Sequence, residues 1–184
     1  MRKLLTAALL LGLCAVASDA AGQSSAGQRA AELAARFSKS KHEVKEKRGV
    51  RVEKFKEVRS EPAQRPSAAD YSGEYAAYLD LEYSLSIKIA ADGGVEASGY
   101  EPSPGGPCAF TLRGGRVSGA LLTGTKVYAD GSTEKFEGVF INRTERDNPS
   151  DVGRTEFGLG VVFDSPKVTE GLSVEKLFYR RTKQ

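Results

Sequence analysis

Polar and apolar positions alternate with a period of two through much of the chain after residue 70. In Leu81-Glu82-Tyr83-Ser84-Leu85-Ser86-Ile87-Lys88-Ile89 every odd residue is apolar and every even one polar or charged. Successive strand side chains point to opposite faces, so this run predicts a strand with one face on a core and one in water. Asp92-Gly93-Gly94 follows, and an Asp-Gly pair between such runs signals a hairpin returning along residues 95–100. The proline- and glycine-rich stretch 102–107 predicts a loop. Residues 108–113 and 116–122, joined at Gly114-Gly115, predict a second hairpin, and residues 125–129 and 134–142, joined at Asp130-Gly131, a third. A polar loop is expected over 143–154. Residues 156–163 and 172–181 close the series. In the last run Leu172 and Val174 are even while Leu177 and Tyr179 are odd, a phase change that predicts a bulge near Glu175-Lys176.

With residues 71–79 these runs make about nine short strands at hairpin spacing and no helical pattern between them, which excludes parallel strand–helix–strand units. The expected fold is all-β: one small antiparallel barrel or sandwich of about 8–9 strands over residues 70–184. Gly119, Gly138, Gly158 and Gly160 interrupt the strands. Glycine weakens a strand unless a bend or a close approach needs it, and four of them favour the curvature of a barrel over a flat sandwich.

The pattern before residue 70 is different. Residues 21–69 hold 12 Lys+Arg against 6 Asp+Glu, whereas residues 70–184 hold 13 against 17, so a near-neutral total hides a basic arm on an acidic domain. The arm opens on a Gly/Ser spacer. Residues 28–47 are good helix formers, with Ala30, Leu33, Ala34 and Phe37 as one thin apolar stripe. Val50, Val52, Phe55 and Val58 fit neither period well, and Pro62 and Pro66 mark a linker. Large apolar residues are sparse, so the arm is expected to be partly helical or disordered and to add little to the core.

Residues 1–20 have the three parts of a bacterial-type export signal: Arg2-Lys3, an apolar run over 4–16, and small residues offering cleavage before Ser18 or Ala21. The apolar run is too short for a span of about 20 residues, and no later segment is long and apolar enough to cross a membrane as a helix. Lipidation at Cys14 is disfavoured because Leu13 stands where a small residue is needed. The mature protein is expected to be periplasmic or extracellular. Cys108 is then its only cysteine, which excludes an intramolecular disulfide.

Absences narrow the chemistry. His42, the only histidine, lies in the charged arm, so neither a Ser-His-Asp or Cys-His device nor a nitrogen/sulfur metal site assembles within the β domain. No phosphate-binding glycine loop precedes a helix. No catalytic or metal-binding residue is assigned, no ligand-binding residue is identified, and no cofactor is expected. The remaining catalytic material is carboxylate, with Glu134 and Asp130, or Glu156 and Glu175, as the pairs that strand geometry would bring together in a hydrolase. The oxygen-rich loop 147–151 lacks the calcium-loop spacing, and Asn142-Arg143-Thr144 reads as a chance glycosylation triplet.

The arm over residues 39–59, with nine Lys+Arg against four glutamates, points to an anionic envelope surface or a protein partner. Intermixed glutamates and the export signal disfavour nucleic acid. A barrel of this size has room for packed side chains or one small ligand. The resulting expectation is an exported, non-enzymatic β-barrel module that binds a small ligand or an envelope or protein partner, with a carboxylate-pair hydrolase as the alternative.

Overall fold

The computed structural model of the protein describes residues 25–77, 83–101, 103, 105–163 and 174–181. The expected export signal, Cys14, Leu81, Glu82 and Leu172 lie outside them. Ten strands occur among the described residues: β1 Lys39–Lys47, β2 Val50–Pro62, β3 Gly73–Ala77, β4 Ser84–Ile89 and β5 Gly94–Glu101. They continue with β6 Cys108–Ser118, β7 Leu121–Tyr128, β8 Thr133–Arg146, β9 Arg154–Phe163 and β10 Val174–Arg180. Strands β3 to β10 are antiparallel neighbours in chain order, and β10 pairs back onto β3, so eight strands close into an up-and-down barrel. Closure removes every free edge within the ring.

The alternation in β4 does what its period predicts. Leu85, Ile87 and Ile89 face inward, opposite Gly99, Ala97 and Val95 of β5. Phe110, Leu112, Leu122, Phe136, Phe140, Leu159, Val161, Phe163 and Phe178 complete a continuous buried interior. One end is closed by a 3₁₀ turn, Ala68–Tyr71, capped by Ser67 and Asp70. It sets Tyr71 on Phe140 with ring centroids 4.4 Å apart, and the Tyr71 hydroxyl donates to the Ala63 carbonyl at 2.7 Å.

Two local expectations are corrected. Gly114-Gly115 is no turn: β6 runs through it as a bulge, with register slips against both β5 and β7, and the chain reverses at Gly119-Ala120 instead. The bulge needs both glycines, because Gly114 has φ 61° and a Cβ on Gly115 would lie 2.9 Å from Val95 and Leu112. The bulge expected near Glu175-Lys176 does not occur either. β10 keeps one register from Val174 opposite Phe163 to Tyr179 opposite Gly158. Leu177 is apolar and outward because this outer face is itself an interface.

What covers that face is the N-terminal arm. Residues 25–36 are helical, and Ala30, Leu33 and Ala34 are at most 3% exposed. Arg29 reaches Glu137 of β8 at 2.6 Å, and Arg36 reaches Glu175 of β10 at 3.0 Å, which places the helix across the outside of β8–β10. Val139 and Ile141 face outward beside Gly160 and Gly158, yet neither is exposed. Phe37 fills the space that Gly160 leaves open. The apolar residues of the arm were expected to matter little; Ala30, Leu33, Ala34, Val58 and Ala63 instead belong to the buried set.

Residues 39–62 form a hairpin where helix was expected through residue 47. Its two-residue turn, Arg48-Gly49, has φ of 54° and 74°, the left-handed pair that matches the twist of antiparallel strands. An Asn-Gly or Asp-Gly sequence would have announced this turn; Arg-Gly does not. The hairpin is held at its base by β8. The first half of β8 pairs with β7, and then, along the same edge, its second half takes β2, from Ile141 opposite Pro62 to Arg146 opposite Glu57. The hand-over falls at Phe140, whose N–H bonds Ala120 while its carbonyl accepts from Ala63. A Lys/Glu-rich helix would have been marginal alone, whereas the overhanging edge of β8 supplies backbone partners.

Candidate functional site

Alternation in the hairpin sorts its charges. Lys39, Lys41, Glu43 and Lys45 share one face of β1, and on β2 Lys54 lies opposite Glu43 and Lys56 opposite Lys41. Among the described side chains this face therefore carries five lysines against one glutamate. Glu43 is held between Lys45 at 2.6 Å and Lys41 at 3.6 Å, and the bond from Lys45 is the main reason its carboxyl lies below the usual range. Lys41 directly opposite Lys56 is a repulsion that folding does not ask for. Lys56 is held by Glu145 of β8 at 2.5 Å, which raises its ammonium above the ordinary value. The other face carries His42, Arg51, Glu53, Phe55, Glu57 and Arg59, a mixed set. His42, exposed there, meets Glu53 at 2.5 Å and the edge of Phe55.

The lysine face continues onto the barrel exterior. Register carries it from Lys56 and Val58 to Glu145 and Arg143 of β8, then to Arg154 and Glu156 of β9. A pocket of ≈ 310 Å³ lies among these four and Tyr179. It shares Glu156 and Tyr179 with a groove of ≈ 1170 Å³ whose basic lining is Arg65, Lys88, Arg180 and Arg181. Arg65 is seated over the Phe157 ring at 4.4 Å, and Arg180 donates to the Asp70 carbonyl at 3.0 Å, so both guanidiniums are oriented by the closed end of the barrel.

A second cluster lies inside the barrel, near its other end. Glu101, the last residue of β5, Lys126 and Tyr128 of β7, and Glu134 of β8 all take inward positions. Lys126 Nζ is 2.5 Å from Glu101 Oε2 and 3.0 Å from Glu134 Oε2. The Tyr128 hydroxyl is 2.6 Å from Glu101 Oε1 and 2.6 Å from Glu134 Oε2. Side-chain exposure is 3% for Lys126, 0% for Glu101 and 20% for Glu134. Burial, and then the bonds to the two glutamates, push the Tyr128 phenol far above its usual range. Lys126 Nζ also lies 5.4 Å from the Tyr128 and Phe163 ring centroids and 5.9 Å from that of Phe110.

The carboxylates weighed for the alternative hydrolase reading hold other partners. Glu134 turns inward to Lys126 and Tyr128, while Asp130 accepts from Ser132 within its own turn. Glu156 pairs with Arg154 and Glu175 with Arg36; they sit at opposite ends of the β9–β10 ladder, about 20 Å apart at strand rise. In the 147–151 loop, Asn148 and Asp151 accept from the loop's own backbone, and Asn142-Arg143-Thr144 is built into β8. The interior cluster was missed, though it left a trace: Glu101 continues the inward phase of Val95, Ala97 and Gly99, and Lys126 stands in the inward phase of Leu122 and Tyr128. A charge in the apolar phase of a strand is the signal that could have found it. No known family model matches the chain, and no curated protein or solved structure is significantly similar to it.

Proposed function

We propose that this protein is an exported β-barrel module that docks onto an anionic envelope surface through its β1–β2 hairpin. The sorting of Lys39, Lys41, Lys45, Lys54 and Lys56 onto one face carries the reading. In the linear sequence the arm's glutamates are interspersed with its basic residues, but strand alternation turns most of them away. Each basic residue held near an anionic lipid surface is worth about 1 kcal/mol, so five on one face make a useful anchor at moderate ionic strength. Arg143, Arg154 and the arginine-lined groove beyond extend the same field for head groups that reach past the hairpin. The export signal in residues 1–20 supports an envelope location.

Vesicle co-sedimentation tests this. The chain should bind phosphatidylglycerol-containing vesicles, ignore purely zwitterionic ones, and release as salt shortens the screening length below about 8 Å. Lys41→Glu, Lys45→Glu and Lys54→Glu together should abolish binding, while Arg51→Glu with Arg59→Glu on the opposite face should leave most of it. Equal loss from either face, or binding indifferent to salt, would remove the hairpin from the reading.

A further inference from the structure

We propose that Lys126 and Glu101 join in an intramolecular amide, a covalent tie between β7 and β5 through the barrel interior. Nζ of Lys126 already lies 2.5 Å from Oε2 of Glu101, in a pair that is 3% and 0% exposed. Rings of Phe110, Tyr128 and Phe163 surround the nitrogen. Two groups held at this separation react as if at very high concentration, and exclusion of water favours condensation over hydrolysis.

The neighbours are those the reaction needs. Tyr128 has one hydroxyl hydrogen but two carboxylate oxygens at 2.6 Å. It therefore donates to one and accepts from the other, and the accepting contact requires a hydrogen on a carboxyl. With that hydrogen on Glu134, the chain runs from the Glu134 carboxyl to the Tyr128 oxygen, and from the Tyr128 hydroxyl to Glu101 Oε1. Tyr128 then polarises the carbonyl that Nζ attacks and stabilises the charge growing on Oε1. Nζ first passes one proton across the 2.5 Å contact to Glu101 Oε2, which leaves a free amine to attack; Glu134 Oε2, 3.0 Å from Nζ, then gives its hydrogen to the departing oxygen and, as a carboxylate, recovers one from the nitrogen. A bond forms between Nζ and Cδ of Glu101, and the Cδ–Oε2 bond breaks. Two of the three ammonium hydrogens leave with Oε2 as water, and the third stays on the amide nitrogen. No oxidant, metal or other reactant is consumed.

Mass spectrometry of the purified, denatured full chain decides the matter. After tryptic digestion, peptide 89–113, which contains Glu101, should be joined to 117–135, which contains an uncleaved Lys126, at a mass one water below the sum of the two. Lys126→Arg should restore separate peptides, and Glu134→Gln should leave the chain largely unjoined while keeping the fold by circular dichroism. Separate unmodified peptides from the wild-type chain would overturn the proposal and leave a plain buried ion pair. So would a water loss that maps to any other peptide. The wild-type measurement is decisive even where a variant fails to fold.

Discussion

Gly160 separates two reasons for placing glycine in a barrel strand. If Gly160 serves curvature, its replacement costs the same whatever lies outside the barrel. If it serves the close approach of Phe37, the cost depends on Phe37. A Cβ built on Gly160 would lie 2.5 Å from one ring carbon of Phe37 and 2.8 Å from two others, while its backbone lies outside the left-handed region. Gly160→Ala therefore forces the ring, and the helix attached to it, to move. Overpacking of this kind costs about 1–3 kcal/mol. Once Phe37→Ala has emptied the space, the same change should be neutral or stabilising by up to about 1 kcal/mol, because alanine restricts the unfolded chain more than glycine does. The two substitutions should thus couple by roughly 1–3 kcal/mol, well above the few tenths expected of independent sites. Thermal unfolding of the wild type, the two single variants and the double variant measures this, at about 2–4 °C per kcal/mol for a chain of this size. An equal melting-temperature drop from Gly160→Ala in both backgrounds would show that the glycine serves the barrel alone and that the helix does not rest on it.

The remaining expectations concern charge and protonation. Burial raises the phenols of Tyr71, Tyr75 and Tyr128 above the ordinary tyrosine value. The unfolded chain therefore loses these protons first, and stability should fall as pH rises above about 10; an alkaline absorbance titration should show three of the seven tyrosines ionising only on unfolding, and ionisation of all seven before unfolding would contradict the burial. The hydrogen bond from Arg29 holds Glu137 below the usual carboxylate range. Its contribution should be present above the unfolded value and disappear as pH falls through the lowered one, so Glu137→Gln should cost under about 1 kcal/mol at neutral pH and nothing in acid, as read by urea unfolding at both.

Much of the barrel was legible from local alternation. The strands read from residues 81–89, 95–100, 134–142 and 156–163 are found as Ser84–Ile89, Gly94–Glu101, Thr133–Arg146 and Arg154–Phe163, since one buried face per strand leaves a pattern that needs no partner to be recognised. Which of barrel or sandwich they form could only be inferred from the glycines. Closure is the pairing of β10 with β3, a contact between distant segments that no local pattern encodes. The glycines themselves served mixed ends: Gly119 makes a turn and Gly160 admits Phe37, so a correct inference rested partly on the wrong cause.

The arm shows the limit most plainly. Its lysines and glutamates suit a helix, and its apolar residues are too few to declare a strand. The overhanging edge of β8 decides in favour of a hairpin, because six backbone positions of β2 find partners there. That decision also determines the charge pattern: on a helix Lys39 would point away from Lys41 and Lys45, whereas on a strand all three line one side. The interior cluster is the same lesson in side chains. Residues 101, 126 and 134 are ordinary charges in the chain, and they become a buried unit only when β5, β7 and β8 curve around one interior. Period and composition are local properties and survive in the sequence; closure, edge pairing and the meeting of distant side chains depend on tertiary contacts, and only the folded chain decides them.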